Sequence, residues 1–219
     1  MMSYIKDLFN LFRKHYVENV KFYSLLALQI FGVPLLLAVL SRSAVNAVTI
    51  SLSLICLSML LVVHFSVKDM RSRYTYMLAN TLPVSLGVRY GFILLNSTVV
   101  LLVGFVALYL PSLGVSCWLF PIGESFEWVL DTAFFHNYTV FVNVLATHAL
   151  ILIVNVLVRK RPIVGYVLAA LAMAAVSFYV RKNVDFEYRD AVMMWIYIVT
   201  IVASWIGCYF LLRKFQYKG

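Results

Sequence analysis

Charge is what this chain has least of. Only 12% of its 219 residues are charged, while 63% are hydrophobic, and a water-soluble domain carries roughly twice that charged share. Acidic side chains are the scarcer sign, nine against eighteen Lys and Arg, and none lies inside a long apolar run. A carboxylate relay for protons or sodium within the membrane is thereby excluded. There is no glycine-rich phosphate loop ending in Gly-Lys-Ser or Gly-Lys-Thr, so the chain does not bind ATP in that manner. The three cysteines, Cys56, Cys117 and Cys208, supply neither a disulfide framework nor a metal-ligand spacing. Two of them fall in apolar runs and Cys117 in an expected outer loop. No secretory signal is evident, because the first apolar run begins some twenty residues in and continues to spanning length.

What is present is hydrophobic length. Six apolar runs, 22–40, 45–67, 88–110, 138–158, 163–180 and 191–212, approach or exceed the ~20 residues needed to cross a bilayer as helix, and they lack the alternation of a barrel strand. The expected fold is an all-α integral membrane protein with six transmembrane helices spanning 22–219. An amphipathic interfacial helix over 1–21 precedes them, and both termini are cytoplasmic. That orientation puts fourteen of the eighteen basic residues on the inner side, with three acidic ones. The outer side receives Arg42, Arg181, Lys182 and Arg189 against six acids, the bias that insertion imposes. The net charge of +9 is then a matter of topology. Nucleic-acid binding is excluded because no soluble module gathers the basic residues.

Before the first span, Ile5, Leu8, Phe9, Phe12, Tyr16 and Val20 recur at three- and four-residue steps, opposite Lys6, Asp7, Asn10, Arg13, Lys14 and Glu18, the pattern of a helix lying in the membrane surface. Pro34 is a candidate kink in span one. The connection from Ser41 to Ala44 is short enough to force spans one and two into an antiparallel pair. An outer loop is expected over 111–137, with aromatic residues near 126–135 forming a short interfacial helix. Gly165 with Ala169, and Ala203 with Gly207, are small-residue pairs that allow close helix approach.

Polar residues within the spans are candidates for a substrate path: Gln29, Asn96, Asn143, Thr147, His148 and Asn155. His148 and Asn155, seven apart, share a helix face, with Asn143 and Thr147 on its flank. An unsatisfied amide costs several kcal/mol in hydrocarbon, so this stripe either bonds between helices or lines a wet path. The depths of His64 and His148 differ by roughly 14 Å at 1.5 Å per residue, which argues against paired haem ligation. No nucleophile, base and stabiliser converge, and no catalytic residue, metal ligand or cofactor of the chain's own is expected.

The segment 68–87 breaks the apolar pattern. Residues 70–80 fit a short helix, Pro83 stops it, and Ser85 is placed to cap the helix that re-enters the membrane. Arg73, Thr75, Pro83, Val84 and Ser85 keep the register R-G-T-L-E-x-L-x-x-x-P-V-S. In this the chain resembles the type-2 ABC exporter permeases, six-span subunits with an amphipathic connecting helix first and a coupling helix between spans two and three. Tyr74 stands at the family's glycine, Tyr76 and Ala79 at its leucines, and Met77 at its glutamate. The enlarged outer loop falls between spans three and four rather than five and six. The resemblance implies a permease in a bacterial inner membrane, paired with a second permease subunit, alike or different. It further implies separate ABC ATPase subunits that carry ATP and Mg, touching this chain at Arg71, Arg73, Tyr74, Thr75, Tyr76, Met77 and Pro83. Membrane lipids complete the expected partners. The competing expectation is a membrane scaffold that recruits a cytoplasmic partner without transport.

Overall fold

The computed structural model describes residues 2–68, 85–120, 138–158 and 161–216, and among these every regular element is helical. In chain order they are α1 (Met2–Glu18), α2 (Val20–Ser41), α3 (Val45–Thr49), α4 (Ser51–Val67), α5 (Leu86–Leu119), α6 (Tyr138–Leu157), α7 (Pro162–Asn183) and α8 (Arg189–Gln216), with a 3-10 turn at Phe186–Tyr188. Helices α2, α5, α6, α7 and α8 are long and apolar enough to cross a membrane, which makes this a multi-pass integral membrane protein. The expected interfacial helix near 126–135 lies outside the described residues, as does the segment 69–84.

Contacts divide the chain into two compact units, one of Met1–Val62 with Gly91–Tyr138, the other of Val63–Tyr90 with Thr139–Gly219. In the first, α2 packs along the C-terminal half of α5, Leu101–Leu119. Leu26, Ile30, Pro34 and Ala38 form a buried stripe at four-residue steps, facing Leu101, Phe105, Tyr109, Ser112, Leu113 and Ser116, the spacing by which one helix presents a ridge to another. Pro34 lacks an N–H and deprives the Ile30 carbonyl of its helical donor. One residue on, the Phe31 carbonyl accepts from Ser112 Oγ at 2.5 Å, so a hydroxyl from α5 supports the backbone where the proline loosens it.

The expected first outer connection is a tight one. Arg42 is left-handed at φ 52°, Arg42 N–H donates to the Val39 carbonyl and Ser43 N–H to that of Ala38, a Schellman ending built without glycine. The expected single span over 45–67 is divided: α3 ends at Thr49 and α4 begins at Ser51. The phenol of Tyr109 donates to the Ala47 carbonyl at 2.8 Å and reaches that of Val48, acceptors the break leaves without helical donors. Span three also departs from expectation. Pro111 does not begin a loop; α5 runs on to Leu119, so Cys117 sits on a helix. A proline removes one hydrogen bond, which the apolar run beyond it outweighs. At 34 residues, roughly 50 Å, α5 outreaches a ~30 Å hydrocarbon core and must tilt or project.

In the second unit, Ala146 and Ala149 of α6 pack with Ile201 of α8, flanked by Val142, Leu145, Tyr197 and Trp205. Pro162 opens α7 at its first turn, where its missing N–H costs nothing. Gly165 meets α6 so closely that an added Cβ would lie 2.5 Å from Val154 Cγ1 and 3.0 Å from Val158 Cγ2. Gly207 is less confined, since a Cβ there would make only ordinary contact with Ile153 Cδ1 at 3.4 Å. Of the two small-residue pairs, only Gly165 makes a close approach; its companion Ala169 is half-buried and Ala203 is exposed.

Candidate functional site

Among the described residues, two places bring chemistry-bearing side chains together. The first lies where α1 meets α2 and α5. Around Asn19, at φ −114° and ψ 25°, the helical path breaks between α1 and α2, yet His15 Nε2 and the Tyr23 hydroxyl remain 2.8 Å apart across it. Tyr16 donates to Asn96 Oδ1 at 2.7 Å and Asn96 Nδ2 donates to the Tyr23 hydroxyl at 2.9 Å, so one amide ties α1 and α2 to α5. Phe12 meets Phe92 edge to face at 4.8 Å between centroids, and His15 meets the same ring at 5.1 Å. Of the apolar face that periodicity assigns to α1, Phe12 and Tyr16 are seated on α5, while Ile5, Phe9 and Val20 stay exposed. Burial raises the Tyr16 phenol above its ordinary value, with the Tyr23 hydrogen bond opposing, and it stays a neutral donor.

Asn96 also opens a π-helical turn, Asn96–Val100. Such a turn widens the backbone ladder, and hydroxyls fill it: Ser97 Oγ donates to the Ile93 carbonyl at 2.6 Å and Thr98 Oγ1 to that of Leu94 at 2.5 Å. Interhelical hydrogen bonds in membranes average ~0.6 kcal/mol and reach ~1.7. Asn96→Leu removes two of them, and is expected to lower stability by about 1–3 kcal/mol and to make α1 protease-sensitive in reconstituted protein, while α2 and α5 stay protected. Intact α1 after limited digestion would contradict the amide's tying role.

The second place is a cleft of about 530 Å³ in the other unit, where the start of α6, the end of α7 and the start of α8 converge. Thr139, Asn143, Ser177, Arg181, Arg189, Asp190, Met193 and Tyr197 line it. Arg189 is positioned by its Nε donating to the Val184 carbonyl at 2.9 Å and by lying 5.7 Å over the Phe186 ring. Two guanidinium groups, one carboxylate and hydroxyl and amide groups share this space with methionine and tyrosine.

The residues expected along a substrate path are divided between the two units. Gln29 and Asn96 belong to the first unit, and Asn143, Thr147, His148 and Asn155 to the second. Along α6 the polar stripe grades from exposed to buried. Asn143 is exposed in the cleft, and Thr147 Oγ1 donates to the Asn143 carbonyl at 2.9 Å. His148 is fully buried beside Trp205, ring centroids 6.3 Å apart. Asn155, also fully buried, donates through Nδ2 to the Ile151 carbonyl at 2.8 Å and to the Tyr166 hydroxyl of α7. Its interhelical bonding accounts for its place in the apolar interior.

Arg71, Arg73, Tyr74, Thr75, Tyr76, Met77 and Pro83 lie outside the described residues. The end of that segment is seen: Ser85 Oγ accepts from Val88 N–H at 3.4 Å, the expected cap of α5. Tyr90, one turn on, donates to the Trp205 carbonyl of α8 at 2.5 Å and packs edge to face on Tyr209. No family model matches this chain, and neither does any curated protein or solved structure.

Proposed function

We propose that the chain is the permease subunit of an ATP-driven exporter of the type-2 ABC class, oriented with both termini in the cytoplasm of a bacterial inner membrane. In this reading α3 and α4 together form the sixth span. The 17 residues of α4 reach only ~26 Å alone, short of a ~30 Å hydrocarbon core, and α3 supplies the remainder.

The observation that carries the reading is the seating of α1 on α5 through Phe92 and Asn96. Helix α5 is the one that leaves the basic elbow, and its first residues are capped by Ser85. An elbow segment held in an ATPase groove would move with ATPase closure, and a displacement of α5 would be felt by α1 and α2, which pack on it. ATP and Mg reside in the ATPase, and a second permease subunit supplies the other wall of the path. The exposed apolar faces of α7 and α8, including Leu168, Leu171, Trp195 and Val199, meet lipid or that subunit.

The cleft at the outer ends of α6, α7 and α8 serves as the exit vestibule, with Asn143 at its floor. Asn143→Leu is expected to change the stimulation of ATP hydrolysis by added substrate about tenfold, roughly 1.4 kcal/mol, and to leave melting temperature unchanged because this amide is exposed. Unchanged stimulation removes the cleft from the path. The reading as a whole is tested by whether a phosphate-loop ATPase travels with the solubilised chain.

A further inference from the structure

Between α2 and α5, in the first unit, lies a second cavity of about 220 Å³. Its floor is made of Leu26, Ile30, Val62 and Phe105, all buried, and its rim includes the exposed Val100. The lining is apolar except at one end, where the Tyr16, Tyr23 and Asn96 group closes it. Tyr23 stands in the first turn of α2, so this polar end belongs to the start of a span and the apolar remainder to its interior. From Asn96 the lining continues along α5 to Leu108, twelve residues or roughly 18 Å. The cavity is thus long, narrow and polar at one end only.

A void of this volume with apolar walls does not hold water well. Left empty it forfeits the dispersion contacts of every wall atom. The solvent around a spanning helix is hydrocarbon, and Gly104 in the lining leaves room, since an added Cβ would meet nothing within 4 Å. Near the polar end in sequence Glu18 is paired with Lys14 at 3.9 Å, which leaves the exposed Arg13 and Lys21 as net positive charge and favours an acidic headgroup there. We propose that this cavity is a binding site for one acyl chain of an anionic membrane lipid, with the headgroup end at Tyr16, Tyr23 and Asn96. The inference stands on the first unit's geometry and does not depend on the exporter reading.

The test reconstitutes the full chain in bilayers containing a phosphatidylglycerol whose chain carries a photoreactive group, followed by irradiation and peptide mapping. Cross-links are expected to concentrate on α2 at Ala27 and Ile30 and on α5 between Val100 and Leu108. Gly104→Leu fills the cavity and should reduce them about tenfold. Gly114→Leu, on the same helix and also facing open space but outside the lining, should not. Ile30→Trp narrows the cavity from the α2 wall, and should reduce labelling as Gly104→Leu does. Labelling spread evenly over exposed helix faces, labelling unchanged by both filling variants, or capture of a second copy of the chain at these residues would overturn the proposal. If neither filling variant folds, the wild-type map alone decides between concentrated and even labelling.

Discussion

Placing aspartate at both Tyr76 and Met77 is expected to leave the chain in the membrane and to reduce ATPase recovery in a pull-down by about a hundredfold, or ~2.7 kcal/mol. The family register has leucine and glutamate at these two positions, so this chain is expected to make the contact by aromatic and thioether packing. Interface anchors of that kind cost ~2 kcal/mol or more when truncated, and two buried unpaired carboxylates add their desolvation. The effect stays local because the substitutions fall in the elbow, while the chain's membrane anchorage rests on α2, α5, α6, α7 and α8. Recovery of the ATPase at wild-type levels, with substrate-linked hydrolysis intact, would remove the elbow from the mechanism. Asn96→Leu provides the complementary measurement, since it releases α1 from α5 without touching the elbow. It should leave the ATPase bound while weakening the coupling of hydrolysis to transport.

The second large effect is expected at Gly165→Leu. Helix α7 has few buried residues, Gly165 and Val180 among them, so one close approach carries much of its contact with α6. A Cβ at Gly165 would stand 2.5 Å from Val154 Cγ1, and a β-branched side chain on a helix has almost no other rotamer to take. Inserted carbons in packed interiors cost ~1–3 kcal/mol; with both Val154 and Val158 in the way the loss should reach about 3 kcal/mol or more. The melting temperature in detergent should fall by several degrees. Gly114→Ala, where a Cβ meets nothing within 4 Å, should instead hold or gain ~0.5–1 kcal/mol from helix propensity. Equal melting temperatures for both variants would show that α7 does not depend on its glycine.

The helical fold and most of its spans were legible because they rest on composition and run length, which are local properties. The apolar face of α1 was legible for the same reason, and Tyr16 was placed on it correctly. That Tyr16 donates to Asn96 was not, since the two are 80 positions apart and no periodicity encodes the pairing. Pro111 misled because its local effect is to break a helix, whereas the run from Ser112 to Leu119 sustains one. Ile50 was invisible for the opposite reason: nothing in Thr49-Ile50-Ser51 stops a helix strongly, and the Tyr109 hydroxyl that supports the break arrives from α5. Arg181 and Arg189 were counted for their side of the membrane, and only the convergence of α6, α7 and α8 makes them two walls of one cleft. The stripe of His148 and Asn155 was correctly read as one face. Its division into an exposed end at Asn143 and a buried, bonded end at Asn155 required the position of Tyr166.

Under the proposed function, transport by this chain is expected to draw its energy from a separate ATPase seated on the elbow. The most direct measurement is affinity purification of the tagged full-length chain from its native membranes in mild detergent, with identification of every stoichiometric companion and assay of ATP hydrolysis. The account predicts an ATPase carrying the glycine-rich phosphate loop, present at about one copy per permease subunit and active in the complex. Isolation of the chain with stoichiometric companions that hydrolyse no ATP, from membranes where the tagged chain supports its normal cellular role, would contradict it.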